Sequence, residues 1–195
     1  LTNDKNLAEK VRLKRAFGID RNYGERKIPG SYDAVELGFN YRMSEIHAAI
    51  GIEQLKKIPL FLKKRYENYK ELLKLLNNFS KIKILEGSTR NLKSSHYCLT
   101  LLLNDSIARH RKKIIAVLKK NGIGSSIYYP HPVPRMSYYK RKYGYIKKRF
   151  VNACRISDQS IALPVGPHLN KDDMRIIARR IIRIIGNLSK WIKYQ

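Results

Sequence analysis

The chain has 195 residues, 43% of them hydrophobic, which is enough for one domain or for a small domain plus part of another. Lys and Arg number 41 against 15 Asp and Glu, a net charge of +26. The basic residues are spread along the chain, so they permit anionic ligands without marking a nucleic-acid patch, and no apolar run reaches the ~20 residues of a membrane span.

In chain order, Thr2-Asn3-Asp4 offers cap residues ahead of Leu7, Ala8, Val11 and Leu13, which predicts a helix over 4–16 stopped by Gly18. Residues 19–40 are rich in Gly, Pro, Tyr and charge and read as a long structured loop or hairpin. Ser44 is the expected N-cap of a helix through Ile46, Ala49, Ile50 and Leu55, which Pro59 breaks or restarts. A second amphipathic helix then carries Phe61, Tyr66, Tyr69, Leu72 and Leu76, and Asn77-Asn78 stops it.

Beyond it, 82–85 and 97–103 are apolar runs suited to strands, and 107–120 is helical up to the Asn121-Gly122 stop. A strand is expected over 123–129, a short tyrosine-rich helix over 138–143 and another helix over 146–157. Asn170 with Asp173 resembles a capping box opening a last helix through Leu188. Strands separated by helices indicate an α/β or α+β sandwich from residue 80 onward.

Two segments carry possible chemistry. In Asn40-Tyr41-Arg42-Met43-Ser44 an amide, a phenol and a guanidinium precede a helix N-terminus, a set suited to phosphate or carboxylate. The plainer alternative is a hairpin end whose Asn caps a turn and whose Arg pairs with an acid. In 122–132, Tyr128, Tyr129 and His131 stand on a proline-constrained turn, which suits a sugar or nucleotide pocket and equally suits an aromatic core edge with an exposed His.

Other groups read as structural. His47 is assigned no role, and His96 with Tyr97 reads as packing. The tyrosines at 66, 69, 138, 139, 143 and 145 read as core. Cys98 and Cys154 read as buried thiols of a cytoplasmic protein, with no disulfide framework and no metal site. The polar first residues are unlike a secretory leader, and a chain that starts on Leu1 reads as a fragment or a processed chain.

Several blocks carry a resemblance: Leu1-Thr2-Asn3-Asp4, Leu7-Ala8-Glu9-Lys10 and Leu13-Lys14-Arg15-Ala16-Phe17-Gly18. They are followed by Glu36-Leu37-Gly38-Phe39-Asn40-Tyr41-Arg42-Met43-Ser44-Glu45-Ile46, Ala48-Ala49-Ile50-Gly51, Gln54-Leu55 and Arg65. Together with Asn121-Gly122-Ile123-Gly124, Tyr129-Pro130 and Ile161-Ala162-Leu163-Pro164, they resemble the DegT/DnrJ/StrS family of nucleotide-sugar aminotransferases, which use pyridoxal 5'-phosphate.

The resemblance implies an α/β chain: the C-terminal portion of a fold type I, aspartate-aminotransferase-like enzyme. Residues 1–58 would end the large cofactor-binding domain, with an interface loop over 19–43. Residues 59–79 would form a connecting helix, and 80–195 a small α/β domain. It further implies a homodimer that transfers an amino group, usually from glutamate, to a keto sugar on a nucleotide diphosphate. The products would be deoxy-amino sugars for surface polysaccharides.

Asn40 would reach the cofactor phosphate of the neighbouring subunit, with Tyr41 and Arg42 near that shared site and Tyr128, Tyr129 and His131 lining the sugar side. Two positions depart from the family pattern. Tyr128 stands where a His is frequent, and Pro134 where another His is common. The family's Schiff-base lysine lies just upstream of the Thr-Asn-Asp motif, so no catalytic residue is assigned here and the isolated chain is expected to be inert. The alternatives are a non-catalytic sugar-nucleotide-binding or dimerisation partner and, on charge alone, a nucleic-acid-binding protein.

Overall fold

The computed structural model describes residues 2–20, 27–87 and 91–188, which divide into two units, Leu1–Lys56 and Lys57–Gln195. In the first unit, α1 (Lys5–Lys14) opens where expected: Asp4 has extended backbone and its side chain accepts from the Leu7 N–H at 3.1 Å. Nothing on α1 is buried, and Gly18 is the one buried residue among those described in this unit. The unit is therefore shaped by backbone pairing and not by an apolar core.

Helix α2 (Glu45–Leu76) is continuous through Pro59, which corrects the expected break. Proline's fixed φ lies close to helical values, so the loss is confined to one ladder hydrogen bond and its steric cost while the turns on either side continue. The division between the two units falls inside this helix, after Lys56.

The second unit holds the core. β1 (Ile82–Leu85), β2 (Cys98–Leu103) and β3 (Ser160–Pro164) form an antiparallel sheet in that order, with Leu101 opposite both Ile84 and Ile161. Period-two alternation sends Leu99, Leu101, Leu103, Ile161 and Leu163 to one face. There they join Tyr69, Leu72 and Leu76 of α2, and Ile114 and Leu118 of α4 (Arg111–Lys120). Met174, Ile177, Ile181 and Ile185 of α7 (Lys171–Gly186) complete that core. Helix α6 (Val151–Gln159) approaches β2 and β3 outside that cluster and buries Cys154.

Helix α7 begins as read, with the Asn170 side chain accepting from the Asp172 and Asp173 amides while the Asp173 carboxylate accepts from the Asn170 amide. Elsewhere the elements differ from expectation. The helix expected over 107–120 is two, α3 (Asp105–Ala108) and α4, parted at His110, whose backbone sits in the bridge region at φ −92 and ψ 6.

The strand expected over 123–129 is a single bridge between Ser126 and Ala162. Toward Gly124 the next ladder partner is Pro164, which has no N–H to donate, so pairing does not propagate that way. β3 itself is Ser160–Pro164, a run that carried no strand expectation. The tyrosine-rich α5 is Ser137–Tyr143, and residues 147–150 form a 3₁₀ turn before α6. Among the described residues no helix is long and apolar enough to cross a membrane.

One polar residue ties the layers together. Asn68, 3% exposed, donates from Nδ2 to the Gly166 and Leu169 carbonyls, both at 3.0 Å. Asn68→Ala strands two acceptors in a sparsely hydrated place, and a loss of about 2 kcal/mol is expected from the urea midpoint. Asn68→Gln, with the same amide one methylene further out, should recover only part of it.

Candidate functional site

The sequence-derived candidates fall into two groups, one in each unit. In the first, the chain leaves α1 and crosses itself. Gly18 has φ +72, and a Cβ there would lie 1.8 Å from the Glu36 carbonyl oxygen. A Cβ on Gly38 would lie 2.1 Å from the Gly18 nitrogen, so both positions need glycine for the strands to meet. The crossing is held by Phe17 N–H to the Phe39 carbonyl at 3.0 Å, Phe39 N–H to Lys14 at 2.6 Å and Tyr41 N–H to Arg15 at 2.8 Å. Lys14 and Glu36 pair across it at 3.0 Å. Residues 21–26 of the expected interface loop lie outside the described residues.

That crossing delivers Asn40, Tyr41 and Arg42 together. Arg42 Nε donates to Asn40 Oδ1 at 3.3 Å, and the guanidinium carbon sits 4.8 Å from the centre of the Phe17 ring. Tyr41 stacks on Phe39 at 5.4 Å with planes 10° apart. With the Asn40 oxygen turned to Arg42, its amide nitrogen keeps two donors suited to an oxyanion such as a phosphate. Ser44 Oγ accepts from the His47 amide at 3.3 Å and lies 2.7 Å from His47 Nδ1, so His47 supports the cap of α2.

In the second unit, the bridge at Ser126 anchors the segment bearing Tyr128, Tyr129 and His131 beside the sheet. The Tyr128 ring lies 6.0 Å from Tyr97 and 5.5 Å from Tyr129. A hydrogen bond with Tyr128 raises the Tyr97 phenol above its ordinary pKa, and Tyr128's own charge adds to the shift. Arg65 places its guanidinium carbon 5.6 Å from the centre of the Tyr97 ring. Tyr97 is 62% exposed, which corrects its reading as packing, whereas His96 does pack, 4.4 Å from Tyr69, and burial lowers its pKa.

His131 is exposed and does not stand alone. Arg135 Nη2 lies 2.9 Å from His131 Nδ1, while its two terminal nitrogens grip Asp158 at 2.6 and 2.9 Å. The hydrogen bond from Arg135 holds the Asp158 carboxyl below the usual carboxylate range. Sequence reasoning missed Tyr97, Arg135 and Asp158 and gave Arg65 no role. The one legible hint was the four-residue spacing from His131 to Arg135, since Asp158 arrives only through the fold.

The tyrosines of α5 need correction as well. Tyr138, Tyr139 and Tyr143 are 57%, 40% and 71% exposed and so do not form core. Three consecutive basic residues, Lys140 to Lys142, need water on that short helix. Tyr139 and Tyr143 instead line, with Val133, Tyr145 and Phe150, a cavity of about 280 Å³. Tyr145 closes on Cys154 Sγ at 2.9 Å. Cys154 is buried as expected, but Cys98 is only half-buried because it starts the strand, 3.5 Å from Thr100 Oγ1.

Comparison with known proteins agrees with the resemblance. Residues 1–182 match the model of the DegT/DnrJ/EryC1/StrS aminotransferase family. An uncharacterised protein of Methanocaldococcus jannaschii is 32% identical, covering 95% of this chain and 48% of its own length. The UDP-4-amino-4,6-dideoxy-N-acetyl-beta-L-altrosamine transaminase of Campylobacter jejuni is 30% identical, over 97% of this chain and 48% of its own. Among solved structures, Helicobacter pylori PseC, an aminotransferase involved in the biosynthesis of pseudoaminic acid, superposes with a TM-score of 0.85 at 25% identity. That likeness covers 96% of this chain and 48% of PseC. The chain spans about half the length of the curated relatives it matches, and its fold is that of the C-terminal portion of a fold type I enzyme. The protein is thus a member of the DegT/DnrJ/EryC1/StrS aminotransferase family.

Proposed function

We propose that this chain supplies the C-terminal part of an aminotransferase that moves an amino group from glutamate to a nucleotide-linked keto-deoxy sugar for surface polysaccharide. The observation that carries this reading is the family match over residues 1–182, which includes the crossing that presents Asn40. Pyridoxal 5'-phosphate, when bound, supplies the electron sink for moving an amino group between carbon centres.

The Asn40 amide, with its oxygen engaged by Arg42, fits one phosphate oxygen of that group, donated to a second subunit of a homodimer. Tyr41 and Arg42 border the same site. Tyr128, Tyr129 and His131 receive the sugar, with the aromatic rings packing on its apolar faces and His131 reaching a hydroxyl or carbonyl. In this scheme residues 1–58 belong with the large domain, 59–79 with the helix that connects the two, and 80–195 with the small domain. The cofactor-bearing lysine belongs to the other half of the family's length, so this chain alone has no activity.

The experiment combines this chain with a polypeptide carrying the other half of a relative, ¹⁵N-glutamate and a UDP-4-keto sugar. Mass spectrometry is expected to find ¹⁵N in the sugar, with none from the chain alone. Asn40→Ala should weaken retention of the cofactor about tenfold, the worth of one charge-assisted hydrogen bond. Sugar binding without transfer would favour a non-catalytic partner instead, and transfer by the chain alone would refute the division of labour.

A further inference from the structure

Arg135 and Asp158 bear on His131 although neither is among the proposed cofactor and sugar contacts. Arg135 offers only donors, so a nitrogen 2.9 Å from its Nη2 must be accepting: His131 Nδ1 is held as the unprotonated ring nitrogen. In the neutral ring the proton then sits on Nε2, across the imidazole from the guanidinium. Arg135 is itself fixed. Both of its terminal nitrogens bond Asp158, at 2.6 and 2.9 Å, and Nη2, with two hydrogens for three acceptors, shares one of them with the Pro130 carbonyl at 3.2 Å. A planar fork held bidentately on α6 cannot swing as a free side chain does. The same guanidinium closes the turn from Pro130 to Arg135, so it sets the path of the backbone bearing His131 as well as its ring.

Arg111 ties down that same C-terminal end of α6. It donates to the Ser157 and Ser160 carbonyls on either side of Asp158. The carboxylate that anchors Arg135 is thereby held at the junction of α6 and β3.

We propose that Arg135, anchored by Asp158, is a positioning residue that locks His131 in the Nε2–H tautomer and presents it as a hydrogen-bond donor to an oxygen of the bound sugar. The assignment rests on the reading of His131 as a sugar-side residue. An acceptor-free Nε2–H discriminates: it bonds hydroxyl or carbonyl oxygens on the sugar and repels an amino group already carrying a proton. That would help the site prefer a keto sugar over its aminated product.

The test is nitrogen NMR of the full chain labelled with ¹⁵N in histidine and arginine, with His131 assigned by its loss in His131→Gln. His131 should show one tautomer, with Nδ1 unprotonated and coupled across the hydrogen bond to Arg135. A short unstructured peptide containing one histidine serves as the reference for a free imidazole. In Arg135→Met the coupling should vanish and His131 should relax to the mixture shown by the reference peptide, while core amides such as Leu101 and Leu163 keep their shifts. Asp158→Asn, which weakens the anchor without removing the guanidinium, should give an intermediate result and serves if Arg135→Met fails to fold. A wild-type His131 identical to the reference peptide, or one unchanged in both variants, overturns the proposal whatever the amino-transfer assay returns.

In the complemented enzyme, Arg135→Met and His131→Ala should raise KM for the nucleotide sugar about tenfold and leave KM for glutamate unchanged. A lock present by NMR in a protein that transfers no amino group counts against the aminotransferase reading and leaves the clamp standing.

Discussion

Replacing Leu101 by alanine is expected to cost about 3–5 kcal/mol, read as a fall in the urea midpoint followed by circular dichroism. Leu101 is 1% exposed on the central strand β2, flanked by Ile84 on one neighbour and Ile161 on the other. Its side chain points into the cluster built by α2, α4 and α7. Both neighbouring strands hold the backbone, so the cavity cannot collapse by moving β2, and the cost should sit high in the range known for such changes. With total stabilities of 5–15 kcal/mol usual for a domain, one such deletion removes a large share. Leu55→Ala supplies the contrast. Leu55 is 64% exposed, and in the chain alone its truncation should fall within about 0.5 kcal/mol. Equal losses at the two positions would mean that the buried cluster does not carry the stability of this fold.

Gly38→Ala is expected to undo the crossing that presents Asn40 while sparing the second unit. The added Cβ would stand 2.1 Å from the Gly18 nitrogen and 2.3 Å from the Phe17 carbonyl carbon. Both are backbone atoms, which no rotamer change can move aside, so the strands must part and give up the bonds from Phe17 to Phe39 and from Tyr41 to Arg15. Overpacking of this kind costs about 1–3 kcal/mol or more, and among the described residues of this unit no apolar side chain is buried to absorb it. Amide exchange at Phe17, Phe39 and Tyr41 should rise steeply while Leu101 and Leu163 stay protected. Gly51→Ala is the control: a Cβ there meets nothing within 4 Å, and in mid-helix alanine should gain about 1 kcal/mol. Unchanged exchange at Phe39 and Tyr41 in Gly38→Ala would disprove the close crossing.

Much of the local structure could be read from residues close together in the chain. Asp4 and Asn170 carry the hydrogen-bonding oxygens a helix start requires, and β1 is the run that four apolar-rich residues predicted. Stop signals worked where their chemistry is short-range: Gly122 takes φ +74 at the end of α4. Pro59 misled because a proline penalty is local while α2 runs for 32 residues around it. The strand expected at Ile123 failed because pairing needs a neighbour able to continue the ladder, and Pro164, opposite that side of the Ser126 bridge, cannot donate.

The site divides along the same line. Asn40, Tyr41 and Arg42 are adjacent in sequence, so their grouping was legible, as was the His131-bearing turn. Their orientation was not. The Asn40 oxygen is turned to Arg42 by a chain crossing that needs glycine at both 18 and 38, positions 20 residues apart. His131 takes its tautomer from Arg135, and Arg135 takes its place from Asp158, 23 residues further on and delivered by α6. The sequence alone determined which polar groups are present and where helices begin, because caps and turns are settled within three or four residues. Only the tertiary structure decided which donor faces which acceptor, because that pairing depends on where the packed sheet and helices bring distant segments together.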